Sequence, residues 1–271
     1  MNTENFAFLS ENIKYLGFES KLMQTERLAE QIEKGVKEFQ LDAEAFFDDC
    51  TRLEAVLHFR KSDQSDLYFF NKYEVRLTNT EDPDQDKAQT FYINKGTGVT
   101  CKEAFNLLQG RYVYKELTNQ EGQKYNAWIQ LNFEEKDHNN NYKYRHYTEK
   151  YGYDLEKTLE RYPIKELHPE GNRALLIRSL QRGNLQPVTF ERNGRAEKMF
   201  IEANARYKTI NLYNNSLKRT RREALKVNTP GDTADAQSQQ QSEAVEETET
   251  ARTKKEEETV GSRIRPRIRR V

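Results

Sequence analysis

Apolar positions along this chain alternate between two spacings, one near 3.6 and one of 2. From residue 3 to 16 the spacing is helical: Phe6, Leu9, Ile13 and Leu16 share a face and Gly17 stops the run. A second helix, with Ser20 as its cap, carries Leu22, Leu28 and Ile32 and ends at Gly35. Val36 to Leu41 predicts a short strand, while 42–49 suits either a helical turn or an edge strand. The period then becomes 2. Leu53 to Arg60 alternates, KSDQSD forms a turn, and a return strand covers Leu67 to Leu77. Residues 79–87 read as a solvated loop, and Gln89 to Asn94 as a further strand.

The pattern then recurs. Thr100 and Glu103 form a capping box before Ala104, Leu107 and Leu108, and Gly110 ends that helix. Strands are expected at Tyr112–Leu117, Tyr125–Phe133 and Tyr142–Tyr147. Asp154 caps a short linker helix that Pro163 closes, within 148–170. A third helix runs from Asn172 to Leu180 and meets Gly183; strands follow at Val188–Arg192, Glu197–Ala203 and Lys208–Tyr213. Asn193-Gly194 is a two-residue hairpin turn, since both residues tolerate positive φ. The expected fold is α+β: three related helix-plus-antiparallel-strands units and a disordered C-terminal tail. The units divide as an N-terminal one over 1–88 and two helix-β-β-β units over 89–227. The tail, 228–271, has no aromatic residue, and its Gln, Glu, Thr and Ser cannot bury enough surface to offset ordering entropy.

Composition supports a core despite a mean hydropathy of -1.04, because 15 Tyr, 14 Phe and one Trp each bury much area. Charge is balanced at 44 basic and 44 acidic residues, so attraction to nucleic acid or to an anionic membrane has to be local. Two cysteines, Cys50 and Cys101, are too few for a disulfide framework. No signal peptide or apolar run of membrane-spanning length stands out, which leads us to expect a cytoplasmic protein.

Motifs of catalysis are sparse. Gly96-Thr97-Gly98 follows a strand and precedes a helix, where backbone amides can meet a phosphate. It lacks the third glycine of a dinucleotide fingerprint and the Gly-Lys-Ser/Thr of a P-loop, and an ordinary tight turn explains it. Ser62 to Asp66 lacks the glycine and closing glutamate of a calcium loop and reads as a hairpin turn. His58, His138, His146 and His168 have no metal-ligand spacing, and neither cysteine lies in a nucleophile motif. No cofactor is expected.

Two basic clusters give the candidate nucleic-acid contacts. One is Lys218, Arg219, Arg221, Arg222 and Lys226; the other is Arg263, Arg265, Arg267, Arg269 and Arg270. Flexible cationic arms contact phosphates without reading sequence. The competing reading is a solvated terminus neutralised by the acidic block 232–250. Alternating Ile and Arg in the last residues also suits addition, as a strand, to a partner's sheet edge. Tyr142, Tyr144, Tyr147, Tyr151 and Tyr153, among cations, suit base stacking, but a tyrosine-rich sheet packed under a helix explains them better.

Long strings carry a resemblance: HFRKSDQSDLYFFNKY (58–73), QTFYINKGTGVTCKEAFNLLQGRYVYKELTNQEGQKYNAWIQLNF (89–133), YGYDLEKTLERYPIKEL (151–167) and KMFIEANARYKTINLYN (198–214). With YLGF near the start, they resemble an uncharacterised Bacteroidetes family, a domain of unknown function found on conjugative or mobilisable elements. The resemblance covers residues 5–226. It implies a mobile-element context, with no active site to carry over. Similar proteins carry further helix-Gly-strand modules, in keeping with the internal repeat. The expectation is a non-enzymatic interaction or scaffold protein with a protein partner, touching nucleic acid or a DNA-processing partner through the basic clusters. The alternative is a nucleotide- or phosphate-dependent enzyme using Gly96 to Gly98.

Overall fold

In the computed structural model the described residues are 2–18, 23–47, 51–79, 86–94, 98–119, 121–192 and 194–220. The expected cap Ser20, the turn residue Asn193 and the tail 228–271 lie outside them. Among the described residues the architecture is α+β, with three antiparallel sheets.

Helix α1 (Thr3–Tyr15) starts at Asn2, whose side chain accepts from the Asn5 amide. Helix α2 (Met23–Lys34) buries Leu28 and Ile32. Strands β1 (Glu38–Phe46), β2 (Thr51–Lys61), β3 (Tyr68–Asn79) and β4 (Lys87–Tyr92) form the first sheet in that order. β1 is longer than expected. Local sequence leaves 42–46 ambiguous, and pairing decides it: alternation continues through to Phe46 opposite Arg52. The expected division at 88/89 falls inside β4, which pairs along β3 from Leu77↔Lys87 to Lys72↔Tyr92.

Helix α3 (Cys101–Leu108) has the expected capping box, with Gly110 at φ +81° after it. Strands β5 (Val113–Thr118), β6 (Lys124–Lys136) and β7 (Tyr142–Thr148) follow as a meander. Asp154 caps α4 (Leu155–Leu159) as expected. Helix α5 (Glu170–Gln181) leads to Gly183 and a second meander, β8 (Gln186–Arg192), β9 (Arg195–Asn204) and β10 (Thr209–Tyr213). Arg192 pairs with Arg195, as a two-residue hairpin requires.

The middle sheet is a wall shared by two cores. Val113, Ile129 and Leu131 face the core of α1, α2, α3 and the first sheet. Tyr112 and Trp128, displaced by one residue, face the core of α4, α5 and the third sheet. β6 is therefore buried on both faces over Ala127–Leu131, apart from half-buried Gln130.

Buried amide side chains join the parts by imitating peptide groups. Asn5 donates to the Tyr68 carbonyl at 3.0 Å and accepts from its N–H at 2.8 Å, tying α1 to β3. Gln89 does the same with Tyr142, at 3.2 and 2.8 Å, tying β4 to β7. Asn106, fully buried, donates to the Arg182 carbonyl at 2.8 Å and to Asn184 Oδ1 at 2.9 Å, and accepts from Arg111 at 2.9 Å. A buried amide with all its partners satisfied costs little and fixes geometry, since a shifted neighbour would be left unpaired.

Candidate functional site

The end of the described chain is held at the edge of the third sheet. After β10 the chain turns on Asn214, whose Oδ1 accepts from the Ser216 and Lys218 amides at 3.0 and 2.9 Å. It then returns beside β10: Arg219 bridges Tyr213, and the Thr220 N–H donates to the Leu212 carbonyl at 2.8 Å. Lys218 is exposed on this turn. Arg219, also exposed, joins a polar network, donating from Nη2 to Asn211 Oδ1 at 3.0 Å. Asn204 donates to the same oxygen at 2.9 Å. Glu202, nearly buried, accepts from Asn211 Nδ2 at 2.9 Å and Tyr213 OH at 2.7 Å, with Arg111 Nε at 3.4 Å. Burial, then the Glu202 charge, pushes the Tyr213 phenol far above its ordinary value, so it stays a donor. Arg219 is thus held by its own fold, and substituting it would disturb the third sheet as well as any partner. Arg221, Arg222, Lys226, Arg263, Arg265, Arg267, Arg269 and Arg270 lie outside the described residues.

Gly96 and Thr97 of the glycine turn also lie outside them, whereas Gly98 and the start of α3 do not. Here the amides of Thr100, Cys101 and Glu103 are already used. Cys101 N–H donates to the Leu16 carbonyl at 2.7 Å, and Glu103 N–H to Thr100 Oγ1 at 3.3 Å. The Glu103 carboxylate, only 5% exposed, accepts from Thr100 N–H at 2.8 Å and Lys115 Nζ at 3.0 Å. Lys115 also donates to the Gly98 carbonyl at 3.0 Å. A carboxylate thus sits where the helix dipole would favour a phosphate, and the geometry supports a capped helix start.

Beside it, Cys101 is 1% exposed, and burial pushes its thiol from an ordinary value of 9.0 up to about 12. The thiolate that would attack a disulfide reagent is scarce at neutral pH. In a Cys50→Ser chain, Ellman's reagent at pH 8 should react with Cys101 at least ~100-fold more slowly than with the same chain in denaturant; equal rates would contradict the burial. A raised acid pKa also means that this stabilising contribution is intact below pH 9 and declines as pH rises toward 12.

An open groove of about 430 Å³ lies on the solvent side of the first sheet, lined by Glu38, Gln40, His58, Arg60, Lys72 and Tyr92 among others. Gln40 Nε2 is 3.2 Å from His58 Nδ1, and His58 Nε2 is 3.2 Å from Glu74, which also meets Lys72 at 2.7 Å. Burial lowers the His58 pKa against the opposing pull of Glu74, which favours the neutral imidazole. The groove escapes sequence reasoning because it depends on four-strand register, including an irregularity after His58 that leaves Asn71 without an opposite residue on β2. The only signal is the polar phase of β1 and β2.

The aromatic cluster packs, as the sheet reading expects. Tyr142 and Tyr144 lie against the first core, and Tyr147 and Tyr153 against the second. Tyr151, 39% exposed, donates to the Arg206 carbonyl at 2.6 Å. The Ser62–Asp66 turn is closed by side-chain oxygens, Ser62 Oγ accepting from Gln64 N–H at 3.1 Å. Among the described residues no group of three His, Cys, Asp or Glu could hold a metal ion, and no helix is long and apolar enough to cross a membrane. Comparisons with protein-family models, curated proteins and solved structures each return no match.

Proposed function

We propose that this chain is a non-enzymatic interaction module of a bacterial mobile element, of the Bacteroidetes family its long strings resemble. On this reading it contacts nucleic acid, or the nucleic-acid face of a DNA-processing partner, through Lys218, Arg221, Arg222 and Lys226. The observation that supports it is the fixed exit at Thr220: the backbone bond to Leu212 starts the cationic run at a defined point of the third sheet's edge, with Lys218 already exposed. An anchored start lowers the entropy lost when a short basic arm meets a phosphate backbone. We read the three helix-plus-meander sets as related units, supported by the positive-φ glycine that follows α2, α3 and α5 at Gly35, Gly110 and Gly183. The first set differs from the others by one strand.

The test keeps the full chain and leaves Arg219 in place. Fluorescence anisotropy with single- and double-stranded DNA and RNA across a salt series compares it with a Lys218→Glu, Arg221→Glu, Arg222→Glu, Lys226→Glu variant. Each lost phosphate contact should flatten the log–log salt slope by about 0.7–0.9. Absence of binding at low salt, or equal slopes for the two chains, overturns the proposal.

A further inference from the structure

The open edge of β1 and the segment 263–269 match each other in three independent respects. The first is which backbone groups are available. β1 and β2 pair residue for residue, from Glu38↔Arg60 to Phe46↔Arg52. Lys61 N–H donates to the Lys37 carbonyl at 2.8 Å, which extends the ladder by one hydrogen-bonded pair. Hydrogen-bonded and non-hydrogen-bonded pairs alternate in an antiparallel ladder. The odd residues of β1 therefore bond to β2, and the backbone groups of Glu38, Gln40, Asp42 and Glu44 point the other way, toward an edge on which no described strand lies.

The second is side-chain chemistry. The even residues put Glu38, Gln40, Asp42 and Glu44 on the solvent face, while Phe39, Leu41 and Ala43 face the core. The edge row is apolar inside and acidic outside, where Glu38 and Glu44 also meet Arg60 and Arg52 of β2. Segment 263–269, Arg-Ile-Arg-Pro-Arg-Ile-Arg, alternates cation and apolar residue with the same period.

The third is proline. Pro266 has no N–H, so it can sit in an added strand only where that position faces away from the neighbour. Pro266 shares its phase with Ile264 and Ile268, so the arginines must be the residues that bond to β1. In an antiparallel pair, bonded residues lie directly opposite one another with side chains on the same face. The arginines would then lie opposite the even residues of β1, on the acidic face, with both isoleucines over the apolar one. In a parallel pair the same proline would turn the arginines inward.

We infer that residues 263–269 of the same chain add to β1 as an antiparallel fifth strand, with the arginines beside Glu38, Asp42 and Glu44. The intervening 221–262 span about 35 Å in root-mean-square extension if flexible, comparable to a domain's width. Covering β1 also removes an unpaired edge that would template association.

Residue-resolved amide hydrogen exchange on the full chain tests this. The Gln40 and Glu44 amides should be protected, and an Arg263→Glu, Arg265→Glu, Arg267→Glu, Arg269→Glu chain should lose that protection by about tenfold or more. Amides of Phe39, Leu41 and Ala43, bonded to β2, should be unchanged, which reports that the sheet is intact. Equal exchange at Gln40 and Glu44 in the two chains, or fast exchange in both, overturns the inference. Protection that rises with protein concentration overturns it too, by assigning the strand to a second copy.

Discussion

Gly183→Ala should lower stability by about 3 kcal/mol, a drop of roughly 6–12 °C in Tm for a domain of this size. Two costs add. Gly183 has φ +79°, where a Cβ costs about 1–2 kcal/mol. That Cβ would also lie 2.8 Å from the Tyr112 carbonyl oxygen, 3.0 Å from Val113 Cγ2 and 3.1 Å from Asn106 Cβ. Two of these neighbours cannot give way cheaply. The Tyr112 carbonyl is backbone, and Asn106 is pinned by its bonds to Arg182, Asn184 and Arg111. Crowding in a packed interior adds about 1–3 kcal/mol. Gly110→Ala is the control. Its φ is +81°, but the new Cβ would meet only a ring carbon of Phe133 at 3.4 Å, so about 1–2 kcal/mol is expected. Urea unfolding of both variants measures the gap. Equal losses would show that the end of α5 is not held against the start of β5 as closely as this.

The contrast between those glycines shows how far the sequence is legible. A helix ending in glycine is a local event, written in a few adjacent residues, so Gly110 and Gly183 can both be read as caps. That Gly183 also admits a carbonyl from 71 residues earlier is a fact of packing, and no local pattern carries it. The same division runs through the candidate site. The Thr100–Glu103 capping box is legible and is found, but its consequence, a carboxylate that occupies the helix start, becomes clear only once Lys115 arrives from β5. The cations 218–226 are legible as a charge run. That Arg219 among them is bound to Asn211 depends on the return along β10. The middle sheet, alternating apolar and mixed, is legible as strands; that its mixed face is also buried follows from Tyr112, Tyr114 and Trp128 meeting a second core.

Trp128→Ala should cost about 3–5 kcal/mol, as for other fully buried indoles. The ring is 3% exposed and its centroid lies 5.3 Å from both Tyr114 and Tyr153. Across the strands Trp128 stands opposite Tyr114 on one side and Tyr147 on the other. Tyr153 in turn donates to the Thr209 carbonyl at 2.7 Å, so the indole supports the residue that fastens the segment before α4 to β10. Trp128→Phe, which keeps an aromatic partner for both tyrosines, should cost less than half as much. The loss should also cross the middle sheet. Ile129 and Leu131 belong to the first core and sit on the same strand as Trp128, so a β6 released on one face cannot stay ordered on the other. Amide exchange near the unfolding limit should therefore speed up by the same factor in β2 and in β9 of the Trp128→Ala chain. Acceleration confined to β9 would mean that the two cores open separately and that the wall between them is not the cooperative element of the fold.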